Sequence, residues 1–363
     1  MKANSQDNAV AQNSEQESLL SRQTLLESHP LMNKYVFETD SIRRFYSGIK
    51  FLIVAGYDSC SFGAEPRSGK TFAIRMIVRY LAVDFPHLPV SVFNVPRTTN
   101  RYTKGFLDRW LRTVKHPERG GQIHVLRGRI VERLVSDAMR KGSRKVLVLL
   151  DEAQNMGPHD LQFLKDIYNE LLLNDVYLVT VSVGQQPDLD RALDRLSLTR
   201  EGKENGSCRD LIPRFFGNKS DFRQLTYPHD VNAIFSAIDS QVLAGSGGST
   251  WSQFFAPNHW DDGWRLAGEV TNLGAVLKKL GHLHSKKISR NSDHTERFVA
   301  AGLLFAALRY FLIAMSDSDA ATASAKAAKS RSRADTWKAA LLYAEFEVES
   351  DSQQKGKTNW HTS

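Results

Sequence analysis

The sequence predicts an α/β protein in which a five-stranded parallel sheet carries helices on both faces, followed by a smaller, all-helical domain. Two observations predict this fold. Short β-branched runs alternate with helical stretches over the first two thirds of the chain, which is typical of a parallel sheet covered by helices. The strand pattern stops near residue 228, and the periodicity after it is helical.

Five apolar runs are the candidate strands. In chain order they are FLIVAG (51–56), VSVFNV (90–95), KVLVLL (145–150), VYLVTVSV (176–183) and the weaker DFRQLTY (221–227). Beyond them, VNAIFSAIDSQVL (231–243) and GWRLAGEVTNLGAVLKKL (263–280) have apolar residues at helical spacing. These two segments predict the helical lid domain.

Composition sets the remaining domain boundaries. Residues 1–34 are expected to form a flexible arm, because the first 28 are rich in Asn, Gln, Ser and Glu and can bury little surface. Residues 35–228 are then the α/β domain and 229–315 the helical lid. Residues 316–363 are expected to be a linker and C-terminal tail, in which TWKAALLYAEFEVES can form one last helix.

Charge and cysteine content narrow the class of protein. The formal net charge of +8 favours a polyanionic partner such as nucleic acid. Cys60 and Cys208 are the only cysteines, too few for a disulfide framework, so a reducing compartment is expected. With no signal pattern and no run of about 18 apolar residues, we expect a cytoplasmic protein without a membrane partner.

A candidate phosphate loop follows the first predicted strand and precedes an apolar helix, the context that such a loop requires. Backbone N–H groups at a helix N-terminus can point at phosphates, Lys70 can neutralise their charge, and Thr71 can offer a hydroxyl to Mg²⁺. Alanine stands at the first position, where glycine is usual. The candidate nucleotide-binding residues are Ala64, Glu65, Pro66, Arg67, Ser68, Gly69, Lys70 and Thr71.

Two adjacent carboxylates, Asp151 and Glu152, end the apolar run at 146–150. A doubly wound sheet presents its ligands at the carboxyl ends of its strands, so this is a candidate Walker B motif. Asp151 is the predicted ligand of Mg²⁺ beside Thr71, and Glu152 would polarise the water that attacks the γ-phosphate of ATP. The tetrad DEAQ (151–154) is also typical of DEAD-box helicases. Those helicases need further motifs in a second RecA-like domain, and the later residues are helical instead, so this interpretation is rejected.

Two polar residues near the end of the fourth predicted strand are sensor candidates. Ser182 or Gln185 could reach between the two motifs and bond to the γ-phosphate or the attacking water. Either residue could equally be an ordinary strand terminus.

Positive charge is concentrated between the second and third predicted strands. Residues 97–145 hold fourteen Lys and Arg against four Asp and Glu, a net charge of +10 that exceeds that of the whole chain. Such a concentration suits contacts with sugar and phosphate rather than base reading, so duplex DNA is the expected partner. The candidate DNA-binding residues are Arg97, Thr98, Thr99, Arg101, Lys104, Arg127 and Arg129.

With these motifs placed, residues 35–285 resemble the AAA+ regulators of DNA transposition of the TnsC and TniB type. The resemblance is carried by both Walker motifs, by LLDEAQNM followed by LQFLKDIYNEL, by VGQQPDL and by the arginine-containing segment DLIPRFFGNKSDFRQL. It implies that ATP-bound subunits assemble as a ring or filament on duplex DNA, connect a target-selecting protein to the transposase, and disassemble on hydrolysis.

The resemblance also implies three arginine assignments. Arg214, with Arg209 in reserve, would be the arginine finger that acts on the nucleotide of a neighbouring subunit, which requires a homo-oligomer. Arg265 would be a second sensor over the nucleotide. Two other functions stay open at this point: a helicase loader, and a protein-remodelling ATPase in which Tyr102 belongs to a pore loop.

Overall fold

The computed structural model describes residues 22–33, 35–97, 103–197, 208–244, 246–287, 295–323 and 332–357. The chain divides into two compact units, Asp40–Gln224 and a second unit that joins Met1–Thr39 to Leu225–Ser363. The division therefore falls four residues before the predicted boundary at 228.

The first unit alternates helices and strands. Its described elements are α2 (Asp40–Ala55), β1 (Ser59–Ala64), α3 (Lys70–Asp84), β2 (Val90–Asn94), α4 (Thr103–Thr113), α5 (Ile123–Lys141), β3 (Lys145–Asp151), a 3₁₀ turn (Ala153–Asn155), α6 (Pro158–Leu172), β4 (Tyr177–Gln185), α7 (Asp188–Ser197), α8 (Leu211–Phe216) and β5 (Lys219–Phe222). The five strands form one parallel sheet in the order β2-β3-β4-β1-β5. This is the predicted α/β fold.

The prediction for the first strand was wrong. FLIVAG (51–56) belongs almost entirely to α2, where Leu52 and Ile53 are buried while Phe51 and Val54 are 64% and 71% exposed. The first strand is SCSFGA, buried along its whole length although its residues are small. A search for β-branched runs overlooks such a strand because polar and small side chains fill it.

The second unit contains helices and a small sheet. Its described elements are α1 (22–28), β6 (Leu225–Tyr227), α9 (His229–Ser240), α10 (Trp251–Phe255), α11 (Pro257–Asp261), a 3₁₀ turn (Leu266–Glu269), α12 (Val270–Leu280), β7 (His284–Lys287), β8 (Thr295–Val299), α13 (Ala301–Ala323) and α14 (Arg333–Lys357). The strands pair antiparallel in the order β6-β8-β7. The expectation of an all-helical lid is thus corrected, and the predicted fifth strand (221–227) is divided between two sheets.

Both chain ends contribute to the second unit where described. Within the predicted arm, Leu31 is buried and the Arg22 guanidinium donates to Ser316 Oγ at 2.8 Å; residues 1–21 and 34 lie outside the described part. In the predicted tail, α14 buries Trp337 and Leu341 completely in the same core as Leu31. The assignment of 316–363 to a linker and tail is therefore corrected, since α14 is a core helix.

One helical stretch, Ala301–Ser318 in α13, is long and apolar enough to cross a membrane by length and composition, which the sequence prediction had not found. Half of that stretch is buried. Its apolar residues include Leu304, Leu308 and Phe311, all fully covered in the core of the second unit. These contacts are those of a core helix.

His29 is a fully buried histidine in the second unit. Its ring lies 4.9 Å from the Phe255 ring and 5.4 Å from the Trp251 ring, and its Nδ1 accepts the backbone N–H of Leu31 at 3.2 Å. Because burial disfavours the charged imidazolium, the pKa of His29 falls to about 4.

The second unit should consequently lose stability in mild acid. Between pH 6.5, the ordinary pKa of histidine, and about 4, the unfolded chain binds a proton at His29 that the folded chain does not. The free energy of unfolding should be highest above pH 6.5 and fall by up to about 1.4 kcal/mol per pH unit below it. Denaturant unfolding at pH 5 and pH 7.5 measures this change. A His29→Leu variant should remove it, and an unchanged difference between the two pH values would contradict the assignment.

Candidate nucleotide site

The phosphate loop lies between β1 and α3. Glu65, Pro66 and Arg67 are exposed, while Ser68 is buried. Arg67 and Gly69 both adopt left-handed backbone conformations, with φ of 60° and 89°. Left-handed residues flanking a single residue turn successive N–H groups toward a common side, the arrangement of an anion-binding nest. The loop is therefore shaped to receive an anion at the start of α3.

Ser68 and Thr71 are consistent with such a ligand. The Ser68 hydroxyl is buried without a hydrogen-bond partner in the described part of the chain, which is unusual for a buried polar atom. Thr71, in the first turn of α3, is exposed. The Ser68 hydroxyl is thus available to a ligand and Thr71 is accessible from solvent, as a phosphate and Mg²⁺ site needs.

Lys70 and the two carboxylates meet at the carboxyl edge of the sheet. The Lys70 ammonium lies 2.9 Å from Asp151 Oδ1 and 2.5 Å from Glu152 Oε1. The side chains of Lys70 and Asp151 are 12% and 6% exposed, whereas that of Glu152 is 33% exposed. Parallel pairing brings β1 and β3 together through β4, so residues 82 apart in sequence form one cluster.

Glu152 is held in an uncommon backbone conformation. Its φ of 56° is in the left-handed region, and its N–H donates to Asp151 Oδ1 at 2.9 Å. A non-glycine residue there costs of order 1–3 kcal/mol, and such residues cluster at functional sites. The turn directs the two adjacent carboxylates to the same ammonium group.

Gln154 is a site residue that the sequence prediction missed. Its amide nitrogen donates to Glu152 Oε2 at 2.6 Å, and its amide oxygen accepts the backbone N–H of Gln185 at 3.0 Å. One side chain thus connects the carboxylate to the end of β4. A glutamine two residues after the carboxylate pair gives no sequence signal for this bond, because only the tight turn after β3 makes it possible.

Replacing Gln154 with Ala should release Glu152 and lower kcat for ATP hydrolysis by roughly tenfold, as expected for loss of a positioning contact. KM should change less, because the Lys70 cluster remains. Steady-state phosphate release measures both constants, and Gln162→Ala, on the exposed side of α6, is the matched control. Equal kcat in the two variants would remove Gln154 from the site.

The two predicted sensor residues lie in different surroundings. Ser182 is fully buried inside β4, and its hydroxyl donates to the Phe215 carbonyl at 2.8 Å. The expectation that it contacts the γ-phosphate is corrected, since the hydroxyl is already used to hold α8. Gln185 ends β4 at the carboxyl edge, with its backbone in contact with Gln154. Gln185 therefore remains the candidate.

Three serine hydroxyls fix α8 to the sheet. Besides Ser182, Ser61 Oγ donates to the Phe216 carbonyl at 3.0 Å, and Ser59 Oγ accepts the Gly217 N–H at 3.1 Å. Ser59 and Ser61 lie on β1 and Ser182 lies on β4. Two adjacent strands therefore form hydrogen bonds with the backbone at the C-terminal end of one short helix. These bonds also explain why β1 is built from small polar residues.

Arg214 on α8 is exposed at the amino-terminal edge of the sheet. Its guanidinium lies 5.1 Å from the centre of the Tyr168 ring, and the Tyr168 hydroxyl donates to Asp58 at 3.4 Å. Asp58 precedes β1, whose six residues span about 17 Å before the phosphate loop begins. Arg214 is thus remote from Lys70 of the same chain.

Arg265 belongs to the second unit and is engaged locally. Its guanidinium lies 3.5 Å from the centre of the Trp260 ring and donates to the backbone carbonyls of Trp260 and Trp264 at 2.9 and 2.7 Å. The reserve candidate Arg209, just before α8, has a partner of its own. The three contacts of Arg265 with Trp260 and Trp264 all lie within the second unit.

The basic segment is partly neutralised by internal ion pairs. Arg127 contacts Asp166 and Glu170 at 3.1 and 2.7 Å, and Arg129 pairs with Glu118. Both predicted DNA contacts therefore have intrachain acidic partners. Arg97 and Lys104 are exposed, while Thr98, Thr99 and Arg101, together with Tyr102, lie outside the described residues.

The basic loop starts next to the nucleotide site. The Val95 N–H donates to the Asp151 carbonyl at 2.8 Å, and the Val95 carbonyl accepts from Asn155 Nδ2 at 3.1 Å. Arg97 follows two residues later. Backbone and side-chain bonds thus join the turn that carries Asp151 and Glu152 to the first described residue of the basic segment.

Comparison with known proteins identifies the nucleotide unit. Residues 59–193 match the family described as AAA domain. This segment, just over a third of the chain, is therefore an AAA-type P-loop ATPase domain, and the match supports ATP hydrolysis as the reaction of this domain. No curated protein sequence matches the chain significantly.

Several solved structures are distantly similar. The ORC1 protein of Aeropyrum pernix in complex with DNA is 14% identical, with 81% of this chain and 97% of that chain covered and a TM-score of 0.36. Drosophila ORC bound to AT-rich DNA and Cdc6 is 10% identical, with 81% and 93% covered and a TM-score of 0.31. The Pif1 helicase of Candida albicans is 12% identical, with 58% and 50% covered and a TM-score of 0.31. The family assignment depends on the AAA match, not on these likenesses.

Proposed function

We propose that this AAA-type ATPase is a cytoplasmic regulator of DNA transposition of the TnsC and TniB type. It would assemble on duplex DNA without strong sequence preference and couple a target-selecting protein to the transposase, with ATP hydrolysis driving disassembly. The motifs LLDEAQNM and VGQQPDL support the family, and the +10 segment supports the DNA partner. The bonds between Val95 and the Asp151 turn carry the proposal, because they can make DNA contact depend on the nucleotide.

The roles at the site follow from chemistry. Glu65 to Gly69 would surround the phosphates with backbone N–H groups, and Lys70 would leave the carboxylates to neutralise the β- and γ-phosphates. Glu152, kept in place by Gln154, would accept the proton of the attacking water. Magnesium held by Thr71 and Asp151 would stabilise the charge that develops on the phosphoryl oxygens.

Nucleotide binding would change the surroundings of Asp151 in a defined way. Lys70 is bonded to both carboxylates, so a triphosphate that attracts this ammonium alters the pairing of Asp151 and Glu152. The Asp151 carbonyl accepts the Val95 N–H, and Arg97 lies two residues beyond Val95. A shift in the turn would therefore reach the basic loop through two hydrogen bonds.

Arg214 supports a homo-oligomer, either ring or filament. It lies at the edge of the sheet opposite to Lys70, so its charge can serve a γ-phosphate only if that nucleotide belongs to another copy. A second copy that presents its phosphate loop to this edge would supply the missing partner. ATP-dependent assembly and hydrolysis would then require each other.

The proposal is tested by binding of the full chain to a random-sequence duplex, followed by fluorescence anisotropy. Mg²⁺ is present with ATP, ADP or a slowly hydrolysed ATP analogue, and oligomer size is measured in parallel. A salt-sensitive increase in duplex affinity is expected only with ATP or the analogue, and this ATP-dependent increase should vanish in Lys70→Ala. Lys50→Ala, which breaks an exposed ion pair with Asp84, is the matched control.

Two other outcomes would replace the proposal. A protein-remodelling ATPase would oligomerise with ATP yet ignore DNA in every nucleotide state. A helicase loader would prefer single-stranded DNA, so a single-stranded oligonucleotide of the same sequence is included as a competitor. Failure of the single strand to compete, with duplex binding intact, supports the transposition regulator.

A further inference from the structure

The small sheet of the second unit has the connectivity of a winged-helix module. The first strand, β6, is followed by helices, α12 precedes the second strand β7, and the third strand β8 inserts between the other two. In helix-turn-helix proteins, one recognition helix lies in the major groove and contacts base edges. In this chain α12 is the helix that comes directly before the strand pair, and only Gly281, His282 and Leu283 separate it from β7.

The α12 helix is firmly attached on one side. The Tyr227 hydroxyl of β6 donates to the Val270 carbonyl at 2.9 Å, and the Tyr227 side chain occupies the space that a Cβ on Gly274 would fill. Leu273 and Leu277 are fully buried on the same side. This face therefore fixes the helix to the sheet.

The opposite face of α12 is open and carries no acid. Thr271, Ala275, Lys278 and Lys279 are exposed, and their spacing of four, three and one residues places them along one side of the helix. On this exposed face the first two turns present the small side chains of Thr271 and Ala275, and the last turn presents Lys278 and Lys279. An eleven-residue helix with small outward side chains can approach a base-pair edge closely.

The surrounding charge is complementary to nucleic acid. The sequence from Val270 to Lys287 contains four lysines and no carboxylate. On β8, Arg297 is exposed, and Glu296 lies opposite Lys286 in the register of the hairpin. His282 is paired with Glu345 of α14 at 2.8 Å. The described residues of 270–287 and 295–299 together contain five Lys and Arg and one Glu, Glu296, a net charge of +4.

We propose that α12 and the described residues of strands β7 and β8 form a second duplex-DNA surface that acts without nucleotide. It deepens the proposed function, because it rests on duplex DNA being the partner, and it differs from the basic loop by belonging to the other unit. A helix about 10–12 Å wide fits the major groove, which is about 12 Å wide. Lys278, Lys279 and Lys286 would contact phosphates, so binding would be salt-sensitive and weakly selective.

Site-directed cross-linking tests the placement. Cys60 and Cys208 are both buried, so a single introduced cysteine can be labelled selectively with an azidophenacyl photoprobe. Ala275→Cys puts the probe on the open face of α12, and Lys338→Cys puts it on an exposed position of α14. We expect nucleotide-free cross-linking to a random-sequence duplex from position 275 and none from position 338. Equal or absent cross-linking at both positions would overturn the proposal.

Removing the two lysine charges of α12 measures how much they contribute to the affinity for duplex DNA. In the absence of nucleotide, Lys278→Ala/Lys279→Ala should bind the duplex about tenfold more weakly and lower the salt slope by about two, the value for two phosphate contacts. Lys338→Ala, an exposed lysine in the same unit, is the control. Thermal unfolding of each variant shows whether it is folded. A folded double variant that binds like Lys338→Ala contradicts the surface.

The two proposals fail in different ways. If Lys70→Ala loses the ATP-dependent increase in affinity while the double variant binds normally, the nucleotide-gated function stands and the second surface does not. If ATP has no effect on wild-type binding but position 275 still cross-links, the second surface stands and nucleotide gating does not. Cross-linking of position 275 only to an acidic protein competitor, polyglutamate, would assign the surface to a protein partner instead.

Discussion

Replacing Glu152 with Gln is expected to lower the rate of ATP hydrolysis by about 10²–10⁴-fold, the usual contribution of a general base. The amide has nearly the same shape as the carboxylate but cannot accept the proton of the attacking water. ATP binding should persist, because Lys70 and the loop remain. Phosphate release measures turnover, and a fluorescent ATP analogue measures binding.

A matched control separates this effect from loss of a charge. Glu170 on α6 is paired with Arg127 and lies outside the nucleotide site, so Glu170→Gln should retain wild-type turnover. In the DNA assay, Glu152→Gln should form the ATP-dependent complex and dissociate slowly, since hydrolysis is the proposed disassembly step. Wild-type turnover in Glu152→Gln would exclude this residue as the base.

Removing the Glu269 carboxylate should have the largest effect on stability. Glu269 is 1% exposed and receives the Trp264 indole N–H at 3.0 Å, the Trp337 indole N–H at 3.3 Å and the Asn272 amide at 2.9 Å. It also pairs with Arg333 at 3.2 Å. Glu269→Ala should lower the free energy of unfolding by about 2–6 kcal/mol, because the buried Trp264 and Trp337 indole N–H groups lose their acceptor at about 1–3 kcal/mol each.

Denaturant unfolding of the full chain checks this value, with tryptophan fluorescence reporting on the second unit. The control is Glu345→Ala, which breaks the more exposed pair with His282 and should cost less than about 1 kcal/mol. Similar losses in the two variants would mean that the four contacts of Glu269 do not stabilise α14.

Sequence patterns predicted the elements that are determined by local features of the sequence, such as a run of apolar residues or a short motif. The run before Asp151 is continuous and apolar, as a central strand buried on both faces requires, so β3 and its two carboxylates were placed to within one residue. The phosphate loop was equally readable, because Gly69, Lys70 and Thr71 are fixed by local geometry and charge. The five-stranded parallel sheet was predicted from the alternation of apolar runs and helical stretches, although the first of those runs is helical and the last is divided between two sheets.

Features that depend on distant partners could not be predicted. The strand SCSFGA is polar because its serines bond to α8, more than 150 residues away. In the β6-β8-β7 sheet, the paired residues of β6 and β8 are 70 to 74 residues apart in the sequence, and neither strand has a strong strand pattern. Gln154 and Glu269 owe their roles entirely to folded neighbours. Sequence periodicity carries no information about such contacts.

The serine-anchored α8 has a consequence for assembly. Because three hydroxyls make this helix part of the sheet, Arg214 is presented on a stiff support and has little freedom to search for a distant phosphate. In a homo-oligomer, Arg214 would then reach the nucleotide of the neighbouring copy only at one separation between the two copies, which the position of the sheet would set. A small change in the rise or tilt between subunits would then move Arg214 away from the γ-phosphate of the neighbouring copy. The curvature of the polymer would therefore determine its rate of ATP hydrolysis.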